Sequence, residues 1–134
     1  INYNYILICK AMNHVLNGAK LIGTNTALTG PSENGILPAC RALVAPVEIT
    51  TGKSAYYIGK PNPLMMRTGL QLLGIHSGET AMIGDRMDTD ILAGIESGLD
   101  PMLVLSGVTT PDEIKQYPYR PRLVLEGVGA IPPA

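Results

Sequence analysis

Ala81-Met82-Ile83-Gly84-Asp85-Arg86-Met87-Asp88-Thr89-Asp90 is a short apolar run that stops in a cluster of carboxylates. Three apolar residues closed by Gly-Asp read as a buried strand ending in a turn. Downstream, Ile91, Ile95 and Leu99 make the stripe of a helix, and 102–105 (Met-Leu-Val-Leu) is a second apolar run. Asp112 to Tyr117 fits one or two helical turns, and 122–125 (Arg-Leu-Val-Leu) a last strand. Upstream, 55–59 (Ala-Tyr-Tyr-Ile-Gly) reads as a strand followed by Lys60-Pro61-Asn62-Pro63. Asn62 is a good N-cap and Pro63 a good first helical residue. Met66, Leu70 and Leu73 line one face of that helix, and Gly74 ends it. Strands alternating with helices from 55 to 125 predict an α/β fold with a parallel sheet and right-handed crossovers.

Residues 1–50 follow another rhythm. Tyr5, Ile8, Cys9, Met12, Val15 and Leu16 stand at helical spacing over 3–17, and Gly18 is the stop. A short buried strand is predicted over 20–24. A loop is predicted over 25–37, where Asn, Thr, Gly, Pro and Ser gather. A second helix is predicted over 38–50, starting at Pro38. This part belongs to another layer or domain.

The 134 residues suit one domain plus an appendage, and 46% hydrophobic residues give material for a core. A net charge of -1 excludes a basic nucleic-acid surface. No apolar run approaches the ~20 residues of a membrane span, and no secretory signal is visible. Cys9 and Cys40 sit in apolar helical patterns without a CxxC motif, which favours a reducing cytoplasm. The first residue is Ile1 rather than Met, read here as a sign of a fragment.

In open parallel sheets, ligands gather at the carboxyl ends of the strands. Two such ends are polar here: one carries Lys60, the other Asp85 to Asp90. Facing one crevice, they suit phosphate chemistry. A carboxylate at Asp85 can hold Mg2+, which takes one or two protein carboxylates and keeps several waters. Lys60 offers positive charge to a phosphoryl oxygen. Asp90 can orient Asp85, Lys60 or a metal-bound water. Asp88, beside it, can instead cap the helix or favour its dipole. Blander readings stand beside these: a lysine after a strand is usually solvated, and Gly-Asp after a strand is often only a turn.

Other candidates fall away. Gly52-Lys53-Ser54 imitates the end of a phosphate loop, but Val47 stands where a glycine is required. His14 and His76 are isolated. Ser106-Gly107 follows a strand without a partnered base. Met65-Met66 reads as packing, and Arg120 and Arg122 as surface residues.

Taken together, Gly59-Lys60-Pro61-Asn62-Pro63, Gly84-Asp85 and Asp90 resemble the haloacid dehalogenase superfamily, in its NagD-like or 4-nitrophenylphosphatase-like branch. Ala19 to Asn25 resembles a segment of the family's cap domain. Leu103 to Val108 resembles the strand and loop after the metal-binding aspartate. The resemblance implies a Rossmann-like core, of which 51–134 would be the C-terminal half, and an α/β cap, of which 1–50 would be part. It implies Mg2+ held by Asp85, a phosphoryl group bound by Lys60, and Asp90 supporting the site. Arg86, Met87, Asp88 and Thr89 would line the substrate crevice. The implied activity is hydrolysis of small phosphate monoesters, of nucleotide or sugar or glycolate type, through an aspartyl-phosphate. The alternative is a catalytically inactive fragment or a binding and assembly module of the same fold.

The family's nucleophile is the first Asp of an Asp-x-Asp motif on an early strand. None of the five aspartates (85, 88, 90, 100 and 112) has that setting. The family's cap usually has Asp where Ala27 stands and a small residue where Arg41 stands. The expected partners are therefore a small phosphorylated metabolite and the missing N-terminal half of the same enzyme. Nucleic acid and membrane are not expected, and a homo-oligomer stays open. The isolated chain is expected to be inactive and, with an apolar edge exposed at 80–83, prone to aggregate.

Overall fold

A computed structural model describes residues 3–131. The outermost residues of the two expected domains, 1–2 and 132–134, lie outside the described residues. The chain forms two compact units, Ile1–Gly59 and Lys60–Ala134. The division thus falls nine residues beyond the sequence boundary at 50, because the strand near Tyr56 pairs within the first unit.

In the first unit, α1 (Tyr5–Leu16) starts where the Asn4 side chain accepts the Leu7 N–H at 3.1 Å. It ends before Gly18, whose φ of +100° suits glycine. The strand β1 (Ile22–Gly23) follows. Next comes a hairpin, β2 (Thr29–Ser32) and β3 (Gly35–Pro38), paired from Thr29↔Pro38 to Ser32↔Gly35. A loop was expected over these residues. Thr-Gly-Pro-Ser has no alternation to betray a strand, but Asn34-Gly35 is a hairpin turn signal. Helix α2 (Cys40–Thr51) starts two residues after Pro38 and stops at the left-handed Gly52. The strand β4 (Tyr56–Tyr57) then runs parallel to β1. Its expected place was the sheet of the second half. A Cβ on Gly23 would overlap the Tyr57 ring, so the glycine admits that ring. Glu48 ties α2 to β4, accepting the Ala55 N–H at 2.7 Å and the Tyr57 hydroxyl at 3.1 Å. Burial and that bond raise the Tyr57 pKa. Among the described residues, Val15 and Val47 are the unit's buried apolar side chains.

In the second unit, α3 (Pro63–Leu73) matches its local signals. Asn62 accepts the Leu64 N–H at 3.0 Å, Pro63 opens the helix, and Gly74 closes it at φ +67°. The strands β5 (Ala81–Gly84), β6 (Asp100–Val104) and β7 (Leu123–Leu125) form one parallel sheet in that order. Its register runs Gly84↔Leu103 and Leu103↔Val124. Helix α4 (Leu92–Glu96) lies between β5 and β6, and α5 (Pro111–Ile114) between β6 and β7. A Cβ on Gly94 would come within 3.1 Å of Met82 and 3.3 Å of Pro101, so a small residue lets α4 lie close on the sheet. At α5, Glu113 accepts the Thr110 N–H at 2.7 Å, which holds its carboxyl below the usual range.

Met87, Ile91 and Leu103 are fully buried and form the core, with Leu105, Ile114, Tyr117 and Tyr119 packed on them. Helix α3 holds no buried residue, and β5 pairs with β6 alone among the described residues.

Truncating Leu103 to Ala leaves a cavity at the centre of this core. The expected cost is about 2–5 kcal/mol, read from urea unfolding. Leu72→Ala, at a position 83% exposed, is expected to stay within about 0.5 kcal/mol.

Candidate active site

The site is built around the carboxyl end of β5. Past Gly84 the chain makes one wide turn, in which the N–H groups of Asp90 (3.0 Å) and Ile91 (3.1 Å) both reach the Arg86 carbonyl. The second bond spans five residues, a π-type turn of the kind that recurs at functional sites. It aims Asp90 back at the strand end. A Cβ on Gly84 would overlap the Asp90 carboxylate, so the glycine makes room for it.

Asp90 is 4% exposed. Its Oδ2 accepts the N–H groups of Asp85 and Arg86, each at 3.1 Å. Its Oδ1 accepts from the Lys60 ammonium at 2.6 Å. A carboxylate taken out of water must be compensated, and two backbone donors with one ammonium do so. Lys60 and Asp85 therefore meet through Asp90, one on each of its oxygens. The Lys60 side chain stays 38% exposed.

Asp85 is held from the other side by the loop after β6. Its Oδ2 accepts the Val108 N–H at 2.8 Å, and its carbonyl accepts the Thr109 N–H at 3.1 Å. No hydrogen bond to its Oδ1 occurs among the described residues. One carboxylate oxygen is thus fixed and the other is available.

Arg86 and Asp88 form a two-pronged pair, Nε to Oδ1 at 3.0 Å and Nη2 to Oδ2 at 2.8 Å. That bond raises the Arg86 pKa against the effect of burial, and the charges of Asp85 and Asp90 add to it. Asp88 therefore spends its carboxylate on Arg86 rather than on a helix cap. Thr89 is half-buried. Met87 differs from its expected place in the crevice: its side chain is wholly buried in the core, and its carbonyl accepts the Tyr119 hydroxyl at 3.1 Å. An apolar residue amid charged neighbours was the available sign of that burial. Residues 107–109 were not singled out for the site. Ser106-Gly107 after a strand was the hint, and the contact with Asp85 depends on folding.

The donor set fits Mg2+ in part. Among the described residues no three His, Cys, Asp or Glu side chains gather into a metal-holding group. Asp90 and Asp88 are engaged by cations, which leaves Asp85 Oδ1. A single carboxylate oxygen is compatible with Mg2+, which completes its octahedron with water and phosphate oxygens.

Known proteins resemble this chain in sequence and in fold. The HAD-hydrolase-like family model matches residues 57–131. Dihydroxyacetone phosphatase of Corynebacterium glutamicum is 49% identical over 126 residues, 94% of this chain and 46% of that protein. Ribonucleotide monophosphatase NagD of Escherichia coli is 42% identical over 130 residues, 97% of this chain and 51% of that protein. The NagD structure superposes with a TM-score of 0.88 over 97% of this chain and 51% of its own. A 4-nitrophenylphosphatase structure from Thermotoga maritima gives 0.89 at 31% identity, over 94% of this chain and 49% of its own. The chain spans about half the length of the curated relatives it matches.

Replacing Asp90 by Ala strands an ammonium and two backbone N–H groups. Lys60 is partly solvated, which brings the expected loss below that of a fully buried pair. We expect about 1–3 kcal/mol, measured by urea unfolding.

Proposed function

Because the chain belongs to the HAD-like hydrolases, in their NagD-like branch, we propose that it is part of a Mg2+-dependent phosphatase of small phosphate monoesters. The observation that carries this reading is the Lys60–Asp90–Asp85 linkage at one strand end. The relatives' names speak of a ribonucleotide monophosphatase, a dihydroxyacetone phosphatase and acid sugar phosphatases. Nucleotide and sugar or triose phosphates are therefore the substrate classes to try.

In this reading the unit Lys60–Ala134 belongs to the hydrolase core and the unit Ile1–Gly59 to the cap. Asp85 Oδ1 would hold Mg2+. When bound, the ion neutralises charge on phosphoryl oxygens. Lys60 offers its ammonium to the phosphoryl group while Asp90 fixes its position. Such fixed charges lower the barrier because they need no reorientation as charge develops. Arg86, steadied by Asp88, stands at the substrate side of the same turn, and Thr89 lies along it.

The reaction would pass through an aspartyl-phosphate. No aspartate of this chain has the setting of its nucleophile, so we infer that the nucleophile lies in the part of the relatives' length these residues do not span. Polypeptide from that part is the partner expected at the free side of β5. Supporting this are an unpaired strand edge among the described residues and exposed apolar side chains nearby, Leu64, Met65, Leu73 and Ile83. Alone, the 134-residue chain is expected to be inactive.

No helix among the described residues is long and apolar enough to cross a membrane. Cys9 and Cys40 are free thiols, which suits the cytoplasm.

Hydrolysis of 4-nitrophenyl phosphate by the intact protein tests the reading. Activity is expected to require Mg2+ and to fall at least about 100-fold in Asp85→Asn. Full turnover in excess chelator, or by Asp85→Asn, would overturn it.

A further inference from the structure

Asp90 and Thr109 are the two polar residues buried in the structure among those described. Asp90 holds the phosphate-side lysine. Thr109 has no part in the reading above, yet it faces the same short segment from the opposite side. Its N–H donates to the Asp85 carbonyl at 3.1 Å, and its Oγ1 accepts the Met87 N–H at 3.3 Å. The preceding N–H, of Val108, donates to Asp85 Oδ2 at 2.8 Å. A Cβ on Gly107 would overlap the Asp85 carboxylate, so the loop can lie this close only with glycine there.

The peptide groups around Asp85 are therefore gripped twice. Asp90 takes the N–H groups of Asp85 and Arg86. Thr109 takes the carbonyl of Asp85 and the N–H of Met87. With the backbone fixed, the Val108 N–H settles the carboxylate rotamer by engaging one oxygen. The other oxygen keeps one direction.

We propose that Thr109 is a positioning residue for Asp85. With the Gly107 and Val108 backbone, it aims Asp85 Oδ1 at a divalent cation. This rests on the reading of Asp85 as a cation ligand. A carboxylate free to rotate spends binding energy on its own ordering, and one held by outer partners does not. Outer partners of metal ligands typically contribute 10–100-fold in affinity.

Mn2+ prefers the same oxygen ligands and reports binding through loss of its free-ion EPR signal. The test titrates Mn2+ into the intact, metal-free protein. Thr109→Val keeps the shape and removes the acceptor oxygen, and is expected to weaken Mn2+ about tenfold. Thr109→Ser restores the oxygen and is expected to stay near wild type. Gly107→Ala leaves Thr109 in place but intrudes on the carboxylate, and is expected to lose affinity as Asp85→Asn does. Thermal melts of the metal-free variants separate folding from binding. Should Thr109→Val not fold, Thr109→Ala and Gly107→Ala are read in the same way. A folded Thr109→Val or Gly107→Ala that binds Mn2+ like wild type overturns the positioning role alone. Absence of binding in wild type, or undiminished binding in Asp85→Asn, overturns the cation-ligand reading and the proposal with it.

Discussion

The buried carboxylate of Asp90 is the constraint on which the site depends. Water cannot solvate a group so enclosed, so its charge has to be met by protein donors. It finds them in the Lys60 ammonium and in the two peptide N–H groups after Gly84. The same bonds that relieve the buried charge bring a lysine from before α3 against the end of β5. Gly84 and the wide turn from Arg86 to Ile91 exist to let that carboxylate in. Folding and the proposed function share one contact, and the arrangement of Lys60 at the end of β5 follows from satisfying it.

Asp85 is the counterpart. It is bound by its own N–H and carbonyl, and by one carboxylate oxygen, from two loops. What remains is one directed oxygen in a half-exposed setting. Such an oxygen would supply one ligand of the Mg2+ site proposed above. That fits a protein spanning half of relatives that are phosphatases. The bare face of α3 and the unpaired side of β5 tell the same story in apolar terms. Among the described residues, that edge of the sheet is left without a partner strand.

How much of this could be read beforehand depended on how local each signal was. Helix α3 was legible to the residue because Asn62, Pro63 and Gly74 act within one turn of its ends. The hairpin at Thr29–Pro38 was missed because its strands carry no alternation, although Asn34-Gly35 announced the turn. The partner of Tyr56–Tyr57 was not legible, since pairing with Ile22–Gly23 joins segments far apart in the chain. At the site, Lys60, Asp85 and Asp90 stood out as residue types at strand ends, and the structure joins them. The grip of Thr109 and the burial of Met87 did not stand out. Both arise only when the loop after β6 folds back on β5.

A crystal structure of the intact protein with Mg2+ and a phosphate mimic bears most directly on this arrangement. Asp85 Oδ1 should lie about 2.0–2.1 Å from the ion, with Oδ2 still on the Val108 N–H. Lys60 should bridge Asp90 and the anion. An ion held by Asp90 instead, or a lysine swung away from that carboxylate when the anion arrives, would contradict the account.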